Sequence, residues 1–119
     1  MGTRELGRFG EERAARYLRL RGYRIVETNY ACRLGEIDLI ARRGKYIVFV
    51  EVKLRKNADF AAAREFVTAA KQQRIRSTAA LWLSQHESEL QPRFDVVEIY
   101  APEGEKGRVT INHIENAFE

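Results

Sequence analysis

The sequence has little cysteine or histidine and no long apolar run, and each shortage excludes a class of protein. A lone Cys32 cannot form an internal disulfide, so we expect a reducing, cytoplasmic setting. His86 and His113 are far apart and lack partners at the spacing of a zinc site or a nucleophilic hydrolase. We expect both histidines at the surface. No apolar run approaches the roughly 18 residues of a membrane span, and residues 1–8 do not resemble a signal peptide.

Length and charge favour one globular domain with a polyanionic partner. The 119 residues, 45% of them apolar, suffice for a single hydrophobic core. Residues 1–57 contain 14 Lys and Arg against 7 Asp and Glu, whereas residues 58–119 contain 7 against 10. A basic excess in one part of a chain is typical of proteins that bind polyanions, although ordinary surface lysines and arginines produce the same total.

Two stretches rich in β-branched and aromatic residues predict a β-hairpin. They are Gly35–Ala41 and Tyr46–Lys53, and the Gly44-Lys45 pair between them suits a two-residue type II′ turn. This turn predicts the facing pairs Arg43 with Tyr46, Leu39 with Val50, and Asp38 with Glu51.

Alternation along the two strands gives the hairpin one apolar face and one face with charges. The apolar face is predicted to contain Ile37, Leu39, Ala41, Val48, Val50 and Val52. The opposite face is predicted to contain Asp38, Ile40, Ile47, Phe49, Glu51 and Lys53. Facing like charges destabilise a sheet unless something compensates them. Mg²⁺ or Mn²⁺ would do so, because both accept carboxylate oxygens as ligands.

Lys53 follows Glu51 by two residues and is expected on the same side of the strand. Its ammonium could hold an attacking water or stabilise charge that develops on a phosphate. The pattern therefore favours a metal-assisted phosphate site. The alternative is that Asp38, Glu51 and Lys53 are ordinary solvated residues.

The first helix is expected at Arg4–Arg21, before Gly22, and the first strand at Tyr23–Tyr30. Glu11 lies on the helix side that carries small residues. It is either a third carboxylate directed at the hairpin or a charge that reaches water at the edge.

A second helix is expected to start between Ala61 and Thr68 and to end near Ser84. Lys71 belongs to its sheet-facing stripe, so its ammonium either extends into water or contacts a phosphate near the carboxylates. Residues 54–58 are expected to form a basic loop. Arg55 in this loop either reaches a phosphate or is an ordinary surface arginine. The sheet-facing stripe of the second helix consists of Val67, Lys71, Ile75, Thr78, Ala79 and Trp82.

A strand buried on both faces is expected at Arg93–Tyr100, with Asp95 as a hydrogen-bonded residue at its start. A short edge strand is expected at Val109–Ile114. The order of helix, three strands, helix and strand predicts an α/β fold, in which the fourth strand runs parallel to an earlier one.

Several motifs together resemble the YraN-type family of bacterial proteins, which is related to archaeal Holliday-junction resolvases and to the PD-(D/E)xK nuclease superfamily. The likeness runs from about Gly7 to Ile99. Ile37 stands where the superfamily name has proline. The motifs are Gly10-Glu11-x-x-Ala14, Gly35-Glu36-Ile37-Asp38-Leu39-Ile40-Ala41, Phe49-Val50-Glu51-Val52-Lys53-x-Arg55 and Val67-x-x-x-Lys71.

The resemblance implies a restriction-endonuclease-like three-layer fold, an αβββαβ core with a mixed sheet and one extra C-terminal edge strand. It implies Mg²⁺ or Mn²⁺ held by Asp38, Glu51 and the Val52 carbonyl, with Lys53 as catalytic lysine and Glu11 as the helix-one glutamate of the resolvases. The expected activity is endonucleolytic cleavage of DNA, rather than RNA, by a homodimer. A non-catalytic nucleic-acid-binding module and a structural or assembly protein are the alternatives.

Overall fold

The computed structural model describes residues 3–55 and 67–119. Within these two ranges, two helices and five strands follow one another in the predicted order. In chain order they are α1 Thr3–Leu20, β1 Arg24–Cys32, β2 Gly35–Arg43, β3 Tyr46–Arg55, α2 Ala69–Gln85, β4 Gln91–Tyr100 and β5 Thr110–Phe118.

The five strands form one mixed sheet in the order β1-β2-β3-β4-β5. Neighbouring strands are antiparallel except for β3 and β4, which are parallel. A parallel pair needs a long connection, and α2 lies within it. The predicted α/β class and the parallel fourth strand are therefore confirmed.

Each face of the sheet packs against one of these two helices and has its own apolar core. On one face, Leu18 of α1 packs in a cluster with Leu39 and Val50. On the other face, Trp82 of α2 packs in a cluster with Ile40 and Phe49. The sheet is thus the middle of three layers, and its central strand β3 contributes to both cores.

The Gly44-Lys45 turn gives the predicted pairs Arg43 with Tyr46 and Leu39 with Val50, whereas the third predicted pair, Asp38 with Glu51, is not formed. Gly44 has a φ of 58°, as the first central residue of a type II′ turn requires. The paired residues run from Arg43 with Tyr46 to Leu39 with Val50.

One residue of the hairpin lies in a different core from the one predicted. Ile37 was expected beside Leu39, but it packs in the α2-side core with Ile40. The paired residues of β2 and β3 end at Leu39, and the next side chain, that of Asp38, accepts a hydrogen bond from the backbone N–H of Val52. Strict alternation therefore does not continue through Asp38.

The third strand is longer than predicted. Leu54 and Arg55 were expected in a loop, but they pair with Ile99 and Tyr100 of β4. The parallel neighbour supplies backbone partners that the sequence pattern does not reveal. The rest of that predicted loop, residues 56–58, lies outside the described residues.

The second helix begins at Ala69 after the N-cap Thr68, so the later of the two predicted starts is the observed one. Residues 61–66 of the predicted range lie outside the described residues. Most of the predicted stripe is buried as expected. Its buried members are Val67, Ile75, Thr78, Ala79 and Trp82.

A buried ionic network joins β4 to β5. Arg93 donates two hydrogen bonds to Asp95, of 2.9 and 2.7 Å, and His113 Nε2 lies 2.7 Å from the same carboxylate. Burial opposes ionisation of Asp95, but the bonds from His113, Arg93 and the Asn116 N–H outweigh it and hold its pKa below the usual value. The hydrogen bonding of Asp95 is as predicted, although the residue lies within the strand.

The two histidines differ in their environment. His86 is exposed, as expected, and its ring stacks on Trp82. His113 was expected at the surface, but this prediction is wrong, because only 6% of its side chain is exposed. Among the described residues, neither helix has the length and apolar character needed to cross a membrane.

Candidate functional site

The site lies where β3 continues past its apolar core residues on the face covered by α2. Phe49 is the last apolar residue of that face, and Glu51 and Lys53 follow it at alternate positions. Lys71 lies in the first turn of α2, whose start is fixed by the Thr68 hydroxyl accepting from the Lys71 N–H. The strand and the capped helix thus bring three charged side chains together.

Glu51 is the centre of this cluster. The residue is 9% exposed, and its Oε1 atom lies 2.8 Å from Lys71 Nζ and 3.6 Å from Lys53 Nζ. A buried carboxylate needs compensation. Two ammonium groups supply it in this structure. Of the two predicted positions of the Lys71 ammonium, in water or near the carboxylates, the structure shows the second.

Asp38 of β2 is linked to β3 by a hydrogen bond. Its Oδ2 accepts from the Val52 N–H at 2.8 Å. Burial raises the pKa of Asp38 to about 7, and the negative charge of Glu51 is the next largest cause. The Val52 bond acts in the opposite direction. Asp38 and Glu51 are therefore close enough for their charges to interact.

The two lysines respond differently to this environment. Burial lowers the pKa of Lys53, and the neighbouring Lys71 and Arg55 charges act in the same direction against the attraction of Glu51. For Lys71, burial also opposes the charged form, but its close contact with Glu51 outweighs burial and raises the pKa. Lys71 is consequently the more firmly charged partner of Glu51.

Glu11 lies on the α1 side of the sheet. It lines a cleft of about 280 Å³ together with Leu39 and residues of α1 and β1. Its charge is one of the smaller causes of the raised Asp38 pKa. Of the two predicted placements of Glu11, the structure thus favours the one directed at the hairpin. Glu11 acts on Asp38 through the electrostatic effect of its charge.

Arg55 lies at the end of β3 and pairs in register with Tyr100 of β4. It is partly buried, and its charge acts on both Lys53 and Tyr100. The positive groups of β3 thus continue along the strand from Lys53. This placement differs from that of an ordinary solvated arginine.

Sequence reasoning missed a second buried carboxylate next to the site. Glu98 is 1% exposed and pairs in register with Lys53 on the neighbouring strand. Its oxygens accept hydrogen bonds from Tyr100 Oη at 3.0 Å and from Asn112 Nδ2 at 2.9 Å. A glutamate inside the apolar run of β4 was the available signal, since such a residue requires buried partners.

The donor set fits a hard divalent cation of the Mg²⁺ type. Asp38 and Glu51 offer carboxylate oxygens, and the Val52 carbonyl belongs to the residue that already binds Asp38 through its N–H. Mg²⁺ in proteins often takes one or two carboxylates and completes its shell with water or phosphate oxygens. Within residues 3–55 and 67–119, no three His, Cys, Asp or Glu side chains cluster as a metal site. A cation held by Asp38 and Glu51 would take its remaining ligands from water or substrate, because two carboxylates supply only part of its coordination shell.

Comparison with known proteins identifies a family whose profile matches the part of the chain that contains the candidate site. A profile of the Uncharacterised protein family UPF0102 matches residues 10–99. The UPF0102 protein of Caldicellulosiruptor bescii is 45% identical over 120 residues, which cover 99% of this chain and 100% of that protein. The UPF0102 protein STH1475 of Symbiobacterium thermophilum is 47% identical over 117 residues, with 98% of each chain covered. The UPF0102 protein of Nocardia farcinica is 46% identical over 114 residues, with 95% of this chain and 88% of that protein covered.

Proposed function

The chain belongs to the UPF0102 family, and from the geometry of its site we propose that it is a Mg²⁺- or Mn²⁺-dependent endonuclease-like protein that hydrolyses phosphodiester bonds in DNA. One observation carries the proposal. Asp38 and Glu51 lie close enough to interact, and the ammonium groups of Lys53 and Lys71 lie 3.6 and 2.8 Å from Glu51. Carboxylates that bind a cation and amines that bind phosphate are the groups that this reaction needs.

Each residue of the site has a distinct role in this proposal. Asp38, Glu51 and the Val52 carbonyl would hold the divalent ion, which when bound compensates the carboxylates and polarises a phosphate or water. Lys53 orients the attacking water or stabilises charge on the phosphate, because its ammonium adjoins Glu51. Glu11 acts on the site from the α1 side. Arg55 and Lys71 are proposed to contact the phosphate backbone.

The order of the helices and strands supports a more specific proposal about the fold family. One helix, an antiparallel three-strand unit, a second helix and a parallel fourth strand follow in the order that the restriction-endonuclease-like αβββαβ core requires. This order and the presence of the carboxylates in the hairpin support our proposal that the protein has that fold and belongs to the PD-(D/E)xK superfamily. Branched or recombination intermediates in the cytoplasm are the proposed substrates, with a homodimer cutting two strands.

The test is cleavage of branched, nicked and single-stranded DNA in Mg²⁺ or Mn²⁺. Wild type is compared with Asp38→Ala, Glu51→Ala and Lys53→Ala, each of which should lower the rate by at least about 100-fold. Glu36→Ala is a matched control, because Glu36 is an exposed carboxylate on the same strand as Asp38. Cleavage that persists in all three site variants would remove the proposed chemistry.

A non-catalytic nucleic-acid-binding module is the second candidate, and the 2.8 Å contact between Lys71 and Glu51 favours it. A carboxylate already compensated by a lysine does not require a metal ion. This candidate predicts salt-sensitive DNA binding that does not change with Mg²⁺, and no cleavage of any substrate. Binding measured with Mg²⁺ and with EDTA at equal ionic strength separates the two functions.

A further inference from the structure

Lys71 is held in a position where it competes with a cation for Glu51. Its backbone N–H is bound by the Thr68 cap at 3.2 Å, and its Nζ lies 2.8 Å from Glu51 Oε1. Lys53 lies farther from the same oxygen, at 3.6 Å. The shorter of the two ion pairs thus comes from another element of the chain, not from the strand that carries Glu51.

We propose that Lys71 is an internal counter-ion that occupies Glu51 in the metal-free protein and transfers to a phosphate group when nucleic acid binds. The inference rests on the proposed function and deepens it, because it describes how metal binding at that site is regulated. Divalent cation and polyanion then strengthen each other's binding. The cation binds Glu51 when that carboxylate is no longer paired with Lys71. The polyanion binds Lys71 when its ammonium is no longer paired with Glu51.

The difference in burial between the two partners determines which of them moves. The Lys71 side chain is 32% exposed and the Glu51 side chain 10% exposed. A lysine ammonium on a flexible four-carbon stem can turn toward solvent or a ligand, whereas Glu51 is fixed in a sheet that packs on both faces. A buried carboxylate that loses one positive partner needs another. Exchange of Lys71 for a divalent ion keeps Glu51 compensated throughout.

Linkage gives the size of the effect. A divalent ion binds the molecules in which the pair between Lys71 and Glu51 is open. Its apparent affinity is therefore the intrinsic affinity multiplied by the fraction of molecules with an open pair. Removal of Lys71 should therefore tighten binding roughly five- to tenfold, which corresponds to an ion pair slightly stronger than exposed pairs. By reciprocity, a polyanion that engages Lys71 should tighten divalent-ion binding in wild type in the same direction.

The first experiment measures Mn²⁺ binding alone by isothermal titration calorimetry. Wild type is compared with Lys71→Met and with Lys71→Gln, which retains a hydrogen-bond donor toward Glu51 if the methionine variant fails to fold. Arg74→Gln is the matched control, since it removes one positive charge from an exposed position on the same helix. We expect the Kd to fall about five- to tenfold in the Lys71 variants and less than about twofold in the control.

The second experiment repeats the Mn²⁺ titration with a duplex oligonucleotide of phosphorothioate linkages present at constant ionic strength. The same titration of the duplex without protein is subtracted. Wild type and Arg74→Gln should bind Mn²⁺ more tightly with the duplex than without it. The Lys71 variants should lose most of this gain, because no lysine remains to be released from Glu51.

The outcomes separate this inference from the proposed function. Equal Mn²⁺ affinities in wild type and the Lys71 variants would overturn the role of Lys71 and leave the nuclease proposal standing. No Mn²⁺ binding in any form of the protein would overturn both. Folding of each variant is checked by the fluorescence of Trp82, which is the single tryptophan of the chain and is 3% exposed.

Discussion

Replacing Asp38 by asparagine is expected to stabilise the metal-free protein at neutral and alkaline pH. In the folded protein, burial and the charge of Glu51 raise the pKa of Asp38 from 3.8 to about 7. The neutral carboxyl is therefore favoured by folding. Its contribution to stability is fully present below the unfolded-state pKa and is lost as pH rises through about 7. Asparagine stays neutral and keeps an oxygen that can accept from the Val52 N–H.

The magnitude follows from the pKa difference. A shift of about three units corresponds to roughly 4 kcal/mol as an upper bound. Asp38 is partly exposed, and Val52 binds a neutral amide less strongly than a carboxylate, so we expect a gain of about 1–3 kcal/mol at pH 8. The melting temperature should rise by roughly 4–10 °C. At pH 4.5, where Asp38 is neutral in the folded protein, the gain should largely disappear.

The assay is urea unfolding followed by Trp82 fluorescence at pH 4.5 and pH 8, with EDTA present throughout. Glu36→Gln is the control, because it neutralises an exposed carboxylate of the same strand and should show no comparable gain. A loss of stability at both pH values, or a gain of equal size at both, would refute the reasoning about burial and charge.

Three further results are expected. Asp95→Ala should lower the free energy of unfolding by about 3–5 kcal/mol in urea titration, since it leaves Arg93 and His113 buried without their carboxylate; a cost below about 1 kcal/mol would contradict this. Wild-type stability should also fall as pH drops below the usual Asp range, because the pKa of Asp95 is depressed. Gly35→Ala should lower thermal stability by about 2 kcal/mol or more, as a Cβ there would lie 2.8 Å from Thr78 Oγ1 at a φ of 155°; an unchanged melting temperature would contradict it.

Local chemistry in the sequence predicts the hairpin register and the buried stripe of α2. The Gly44-Lys45 turn determines which residues face each other, because a two-residue turn allows one register. A helical period of 3.6 residues groups Lys71 with Ile75 and Trp82, and in the structure that stripe faces the sheet. These features depend on residues close together in the chain.

Features that depend on tertiary contacts were not predictable in the same way. Ile37 and Leu39 pack in different cores, so strict alternation along β2 does not give the side on which Ile37 packs. The burial of His113 depends on Asp95, a partner 18 positions away on another strand. The position of the Lys71 ammonium could not be predicted, because the helical period places the residue on a face without fixing where its side chain ends; in the structure its Nζ lies 2.8 Å from Glu51.

The most direct test of the central claim is a calorimetric titration of wild type, Glu51→Ala and Glu36→Ala with Mn²⁺. The account predicts one binding site in wild type and in the Glu36 control, and at least about tenfold weaker binding in Glu51→Ala. Equal affinity in all three proteins would contradict the assignment of Glu51 as a residue that holds the metal ion.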